Sequence, residues 1–297
     1  QSGTAGHGPN QRRNTMKIAM SGIMFDKQSV ESAIDAAATI GYDCIELRGN
    51  AAHLPHDASA QQVAKIKKRV TAAGLEVSSI ASFTGYYGSI SDQDCADELD
   101  KFKRYVDMAV ELGAANVRHW IGKGSSRQVT AAQWDKAIGW LQKAADYAAG
   151  NQVTVALELH HQTFLDTTDA AIRVHELAGR RNIGFIHDGV NFFFDQEPLG
   201  STCIKRLGKR LINVHFKDIV MLPENVNPKT TVYQDRFYVY RTINAGAVDQ
   251  YAIVRALIDI GYDGCLTVES SNLLTPYELA KNEFLQLKKI LTDLTVQ

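Results

Sequence analysis

Apolar and polar positions along the chain follow two alternating rhythms. Short β-branched or apolar runs predict strands at Lys17 to Met20, Cys44 to Leu47, Val77 to Ser82, Asn116 to Trp120, Val153 to His160, Ile183 to Asp188, Ile212 to Lys217 and Cys265 to Glu269. Stripes of helical period predict helices at Val30 to Ile40, Ala60 to Ala73, Cys95 to Leu112, Ala131 to Ala149, Thr168 to Ala178, Ile204 to Leu207, Gln250 to Ile260 and Pro276 to Leu294. Gly41, Gly74, Gly113, Gly150, Gly179, Gly208 and Gly261 stand where helices should stop, because glycine takes the left-handed conformation without a Cβ penalty.

Strict alternation of strand and helix calls for a parallel sheet, either doubly wound or closed. A doubly wound dinucleotide binder would carry G-x-G-x-x-G after its first strand, and S-G-I-M-F-D-K stands there instead. The expectation is therefore an α/β fold of a single domain, a closed (β/α)8 TIM barrel. G-Y-D-C-I-E-L from Gly41 and G-Y-D-G-C-L-T-V-E from Gly261 reuse one helix-stop-to-strand connection, as a repeating barrel would. The barrel is expected over residues 16–297, after a polar, glycine-rich segment at residues 1–15 that is expected to be flexible. The connection after the seventh strand, residues 219–247, is oversized and holds Pro223, Pro228, Tyr233, Arg236, Tyr238, Tyr240 and Arg241. Because it leaves the C-terminal end of a strand, it is expected to overhang the barrel mouth as a lid.

The fifth predicted strand sets the candidate chemistry. In V-T-V-A-L-E-L-H-H, period two places Glu158 and His160 on one face, and burying such groups without partners costs roughly 2 to 7 kcal/mol. The polar residues that end the next buried runs are Asp188 in I-G-F-I-H-D, His215 in I-N-V-H-F-K-D and Glu269 in C-L-T-V-E-S. Carboxylates converging on one half of a mouth would repel, whereas a divalent metal ion removes the conflict. The competing reading is a set of strand-end carboxylates salt-bridged to Arg48 or Lys217. His119 and Trp120 could form an aromatic wall or pack in the core, and Glu46 with Arg48 could bind hydroxyls or pair with each other. His161 and His187 alternate outward and read as structural.

Composition narrows the partners. Lys and Arg number 32 against 33 Asp and Glu, a formal charge of −1, which gives no electrostatic footprint for nucleic acid or an anionic membrane. No apolar run nears the roughly 18 residues of a membrane span. A small-molecule ligand is expected, and homo-oligomer formation stays open. Cys44, Cys95, Cys203 and Cys265 lack metal-type spacing and read as free structural thiols. The first residue is not Met, and Arg12-Arg13 precede a first strand rather than a signal h-region, so localisation stays open between cytoplasm and export after signal removal.

On the series Glu158, Asp188, His215, Glu269, with H-F-K-D from His215 and G-Y-D-G before the last strand, the chain resembles the xylose-isomerase-like superfamily of barrels, in its sugar isomerase and epimerase branch. The resemblance implies that these four bind one divalent metal ion, Mn²⁺ as first choice with Mg²⁺, Co²⁺ or Zn²⁺ as alternatives. It also implies that Glu158 and Glu269 exchange protons with a keto sugar or related polyol. Around them, His160, Asn191, Lys217, Arg236, His119, Trp120 and Glu46 are candidate substrate contacts. Endonuclease relatives carry extra histidines for three zinc ions, but here the third strand ends A-S-F-T-G and Asn191 stands three residues past Asp188, which argues against that site. Two rivals remain: a 3-keto-glycoside lyase that loses a leaving group after the same proton abstraction, and a non-catalytic sugar-binding barrel.

Overall fold

The structure is a computed structural model that describes residues 16–225, 229–271 and 274–295. The segment expected to be flexible, residues 1–15, and Pro228 of the expected lid lie outside the described residues. Eight parallel strands close into a barrel: β1 (Lys17–Ser21), β2 (Cys44–Arg48), β3 (Glu76–Ala81), β4 (Asn116–His119), β5 (Thr154–Glu158), β6 (Ile183–Asp188), β7 (Leu211–Phe216) and β11 (Cys265–Val268). The ring closes where β1 meets β11, with Lys17 opposite Cys265 and Met20 opposite Val268. The fold is thus a (β/α)8 barrel.

Helices α1 (Val30–Ile40), α2 (Ala60–Ala72), α3 (Asp92–Leu112), α4 (Ala131–Gly150), α5 (Thr168–Ala178), α7 (Ser201–Leu207), α8 (Gln250–Asp259) and α9 (Pro276–Thr295) follow the barrel strands. Side-chain caps begin several of them, and Ser59 with Gln62 and Thr130 with Gln133 form full capping boxes. Their apolar stripes face the strands, burying Ile34, Phe102, Leu141, Val174 and Leu287 completely or nearly so. Gly41, Gly113 and Gly179 end α1, α3 and α5 in the left-handed conformation. Gly150 does not: it is the last residue of α4, Asn151 caps the helix, and Gln152 supplies the positive φ of 59°. An additional short helix, α6 (Gly189–Asp195), follows β6 directly, because the Asp188 side chain accepts from the N–H groups of Val190 and Asn191.

The described residues of 219–247 are more ordered than the expected loop. β8 (Asp218–Leu222), β9 (Thr231–Tyr233) and β10 (Arg236–Arg241) form a three-stranded antiparallel sheet in the order β8-β10-β9. Gln234 and Asp235 both take positive φ, 48° and 58°, the requirement of a two-residue hairpin turn between β9 and β10. Buried Asp218 clasps the base of this sheet, accepting from the backbone N–H groups of Ile219, Asn244, Gly246 and Val248 at 2.8, 3.0, 3.0 and 3.1 Å. Only glycine fits at 246, since a Cβ there would stand 2.1 Å from Asp218 Oδ1. Glu283 of α9 adds a second tether by accepting from Ile243 N–H at 2.7 Å. Among the described residues no helix is long and apolar enough to cross a membrane, and all four cysteines are free.

Candidate metal centre

β5, β6, β7 and β11 are neighbours around the ring, so their C-terminal ends open onto one sector of the mouth. Asp188 lies opposite His215 in the β6–β7 ladder, and Glu269 N–H donates to Phe216 C=O at 2.9 Å as β11 ends. One ligand atom from each of Glu158, Asp188, His215 and Glu269 lies within 4.8 Å of all the others, and all four residues are buried. His215 Nδ1 stands 3.1 Å from Glu269 Oε2, 3.5 Å from Glu158 Oε1 and 3.9 Å from Asp188 Oδ2.

Other side chains hold each donor in place. Arg118 of β4 donates to Glu158 Oε2 at 2.8 Å, and Asn191 Nδ2 donates to Glu158 Oε1 at 3.2 Å. Asp188 uses Oδ1 to cap α6, which turns Oδ2 toward the cluster. His215 Nε2 lies 3.3 Å from Glu46 Oε2, on the side of the ring away from the cluster. Glu46 is itself held by Ser21 Oγ at 3.0 Å and Asn213 Nδ2 at 3.2 Å. The Lys217 ammonium lies 2.7 Å from Asp188 Oδ2 and 3.0 Å from Glu269 Oε2.

These residues fit a divalent cation on two grounds. His215 Nδ1 is buried without a hydrogen-bond partner although three carboxylates surround it, and Asp188 Oδ2 has the Lys217 ammonium as its counter-charge. Carboxylate oxygens converging on an imidazole nitrogen draw a positive charge to it, a proton in the metal-free chain and a divalent cation in its place. The charges agree: Glu46, Glu158, Asp188 and Glu269 face the fixed cations Arg118 and Lys217, which leaves two formal negative charges for a divalent ion to balance. Ligands about 2.1 Å from a shared octahedral ion stand at most ~4.2 Å apart, so a shift of a few tenths of an ångström closes the shell. The cluster is thus able to coordinate a divalent metal ion.

The electrostatics of the protein groups point the same way. Burial opposes ionisation of Glu158, but Arg118 and then His215 outweigh it and hold the carboxyl down to about 2. Burial likewise opposes the charge on Glu269, and Lys217 and His215 overcome it to hold that pKa well below the usual range. Asp188 moves the other way, raised by burial and by the charges of Glu269 and Glu158 against the pull of Lys217. His215 is drawn down by burial and pushed well above its ordinary value by Glu269 and Glu46. The carboxylates attract a positive charge to Nδ1, which is the place a metal ion would take.

The predicted substrate contacts divide. Lys217 reaches the cluster and lines a cavity beside it, and Asn191 bonds Glu158. Glu46 is not a hydroxyl-binding residue: with no exposure, it bonds His215 from behind. His119 points into the helix layer, packing on Phe102 and Tyr87 with Nδ1 3.0 Å from Thr84 Oγ1. Burial lowers its pKa to about 3, as befits a neutral core ring. β5 ends at Glu158, so His160 lies past the point where strand alternation holds, and its Nδ1 bonds His161 C=O at 2.6 Å. His161, expected to face outward, instead has Nδ1 3.2 Å from the oxygen of Asn191, the residue that bonds Glu158. The Asn191 amide nitrogen serves Glu158, so its oxygen accepts and His161 Nδ1 carries the proton. Arg236 stays on the sheet above the mouth, with Gln196 as its partner at 2.8 Å. Trp120 stands at the mouth, stacked on Tyr86 at 5.7 Å and edge-on to His160. Arg48 pairs with Asp26 at 3.0 Å rather than with a glutamate of the cluster.

Sequence reading missed Arg118. Its signal was a guanidinium inside a buried strand, N-V-R-H, one residue before the histidine that drew attention instead. Arg118 is buried, and the rings of Phe83 and Trp120 lie 4.6 and 5.2 Å from its guanidinium carbon.

Fold and donor cluster together define a barrel able to seat a divalent cation at the C-terminal ends of its strands, where barrels of this kind keep their chemistry. Residues 34–289 match the family model described as xylose isomerase-like TIM barrel, and the chain belongs to that family. It is 23% identical over 239 residues to an inosose dehydratase of Geobacillus thermodenitrificans (strain NG80-2), covering 72% of this chain and 76% of the relative. The probable 3-DHS dehydratase AsbF of Bacillus anthracis superposes with a TM-score of 0.76 at 17% identity, over 93% of this chain and 99% of that one. The D-allulose 3-epimerase of Methylomonas sp. superposes at 0.73 and 18% identity, over 93% and 98%. At these identities the structural likeness establishes the shared fold.

Proposed function

We propose that this barrel is a divalent-metal-dependent enzyme of the sugar isomerase and epimerase kind, removing the proton beside the carbonyl of a keto sugar or related polyol. The observation that carries the proposal is the buried set of three carboxylates and one unpartnered imidazole nitrogen, edged by a cavity that Glu269 and Lys217 line. A divalent cation held by Glu158, Asp188, His215 and Glu269 supplies Lewis acidity to substrate oxygens and stabilises the negative charge that develops there. Glu269, which has an edge on the cavity, is placed to take the proton. Lys217 donates to a substrate oxygen from the same side. Glu46 fixes the tautomer and orientation of His215. Glu158, on a different barrel strand, is the group that would return a proton from the opposite face for epimerisation.

One observation favours a second reading, elimination. Both oxygens of Glu158 are engaged, by Arg118 and Asn191, whereas Glu269 and Lys217 stand side by side on the cavity. One base and one acid on the same side suffice to remove a leaving group. Glu269 takes the proton from the carbon next to the carbonyl, and the C–O bond at the following carbon breaks with its electron pair on oxygen. Lys217 then protonates that oxygen, giving an unsaturated ketone and an alcohol or water. The two relatives named as dehydratases support this reading, and the epimerase supports the first.

The test is incubation of Mn²⁺-reconstituted protein in D₂O with a panel of ketoses and keto-glycosides, followed by removal of protein and metal and product analysis by proton NMR and mass spectrometry. Metal-dependent deuterium incorporation beside the carbonyl is expected, abolished by chelation and restored by Mn²⁺. An epimer conserves mass apart from deuterium, whereas elimination releases the leaving group. Absence of deuterium and of new product across the panel would overturn both readings.

A further inference from the structure

The three-stranded sheet stands on the barrel through one face of β10. Tyr238 and Tyr240 share that face, since side chains alternate along a strand. Tyr238 is buried and packs edge-on against Phe194 at 4.8 Å and Phe193 at 6.3 Å, both on α6. Tyr233 ties β9 to the same helix by donating to Asp195 Oδ1 at 2.5 Å. Tyr240 is therefore turned toward the mouth as well, where it pairs across the sheet with buried Ile219 and lines the cavity beside Lys217 and Glu269. Burial raises the pKa of its hydroxyl, opposed by Lys217 and assisted by Asp188 and Glu269, so the phenol keeps its proton at neutral pH and is a donor. Among the described residues that donor serves no partner, whereas the Tyr233 hydroxyl is spent on Asp195. Phenylalanine would fill the same space, so packing leaves the Tyr240 hydroxyl unexplained.

We infer that Tyr240 is a substrate-binding residue, carried over the mouth by the upper sheet to hydrogen-bond a hydroxyl of the substrate that the donor cluster does not hold. The inference rests on the proposed function for the kind of substrate, a keto sugar or polyol, and on the fold for the placing of Tyr240. The metal donors and Lys217 serve the oxygens at the reacting carbons, so the oxygen that meets Tyr240 is a different one. Such a bond is made alike with the bound substrate and with its transition state, and it is therefore felt in KM rather than in kcat. Tyr240 is in this sense a specificity residue, and the upper sheet is part of the binding site as well as its cover.

The test is fluorine-19 NMR of protein labelled with 3-fluorotyrosine, in which the Tyr240 signal is identified by its absence from Tyr240→Phe. Compared with Mg²⁺-loaded protein, Mn²⁺ alone is expected to broaden that signal among the most strongly of the 11 tyrosine signals. With Mg²⁺ bound, titration with the ketose panel and with myo-inositol is expected to shift it. Tyr240→Phe should raise KM for deuterium exchange about three- to tenfold, the worth of one neutral hydrogen bond, with kcat within about twofold. Protease cleavage within residues 219–247 should stay at the wild-type rate in this variant, which separates a lost contact from a loosened sheet. A Tyr240 signal that Mn²⁺ leaves sharp overturns the inference. So does a signal unmoved by every compound, or an unchanged KM in Tyr240→Phe. A ligand-induced shift of the Tyr240 signal with no deuterium exchange into any ketone would keep the contact and overturn the proton-transfer reading.

Discussion

Glu46 and His215 meet behind the cluster, Oε2 to Nε2 at 3.3 Å, both without side-chain exposure. A carboxylate that accepts from the far nitrogen of an imidazole fixes the ring and raises the basicity of the nitrogen on the other side. His215 Nδ1 is therefore the nitrogen turned toward Glu158, Asp188 and Glu269, where a metal ion would replace its proton. Glu46→Gln is expected to weaken metal affinity by ~10- to 100-fold with the barrel intact, measured by calorimetric titration of Mn²⁺ into metal-free protein. Unchanged affinity would mean that the pair is structural only.

Removing Arg118 should destabilise the protein more than the loss of one hydrogen bond. Glu158 is held ionised in a buried site chiefly by that guanidinium, so Arg118→Met strands a charge. A loss of about 3 to 5 kcal/mol in unfolding free energy is expected for the metal-free protein at neutral pH, by urea denaturation. A loss under ~1 kcal/mol would show that Glu158 has another counter-charge.

The two glutamates should differ in what their amides cost. Glu269→Gln removes the carboxylate on the cavity, so deuterium exchange should fall by ~10²- to 10⁴-fold even at saturating Mn²⁺. Glu158→Gln should also weaken the metal site, yet an elimination should survive it better than an epimerisation. Full exchange in Glu269→Gln would move the base elsewhere.

Asp218 clasps the sheet over the mouth through four backbone N–H groups. Asp218→Ala should release residues 219–247 as a unit while the barrel persists. Protease cleavage in that segment is expected to rise about tenfold or more, with the thermal midpoint of the barrel changed much less. Cleavage at the wild-type rate would assign the order of the sheet to its own hairpin and packing.

Glu283 carries the pH dependence that is simplest to isolate, because it stands apart from the four donors. Burial raises its pKa to about 7, against the opposing bond from Ile243 N–H. The folded chain thus keeps a proton that the unfolded chain gives up near 4.5, so this group's contribution is fully present below 4.5 and is lost as pH rises to about 7. Glu283→Gln keeps the neutral form at every pH. It should leave stability near wild type at pH 5 and raise it at pH 8 by on the order of 3 kcal/mol, read from urea midpoints. Equal midpoints at pH 8 would mean that Glu283 ionises without penalty.

Several of these relationships were legible in the chain, and the reasons are local. α1 and α5 begin and end where the apolar stripe and the following glycine predict, Val30–Ile40 and Thr168–Ala178, because helix period and left-handed stops need no distant partner. The barrel followed from strict alternation and the missing dinucleotide fingerprint. Glu158, Asp188, His215 and Glu269 stood out because a polar residue ending a buried strand needs a partner wherever that strand lies.

Other features depended on the assembled ring. Period two says that Arg118 and His119 face opposite ways, but the face turned to the barrel interior is set by register against β3 and β5, so the choice between them was invisible. Glu46 reaches His215 across 169 positions of sequence, a contact made only by closing β1 and β2 against β11 and β7. His160 shares parity with Glu158, yet β5 stops first, and beyond a strand's end parity carries no direction. The order of local elements and the candidate donors were thus written in the chain, because periodicity and burial cost act over a few residues. Which side chain points inward, and what stands behind each donor, was decided by closure of the barrel, because that alone sets the register between strands far apart in sequence.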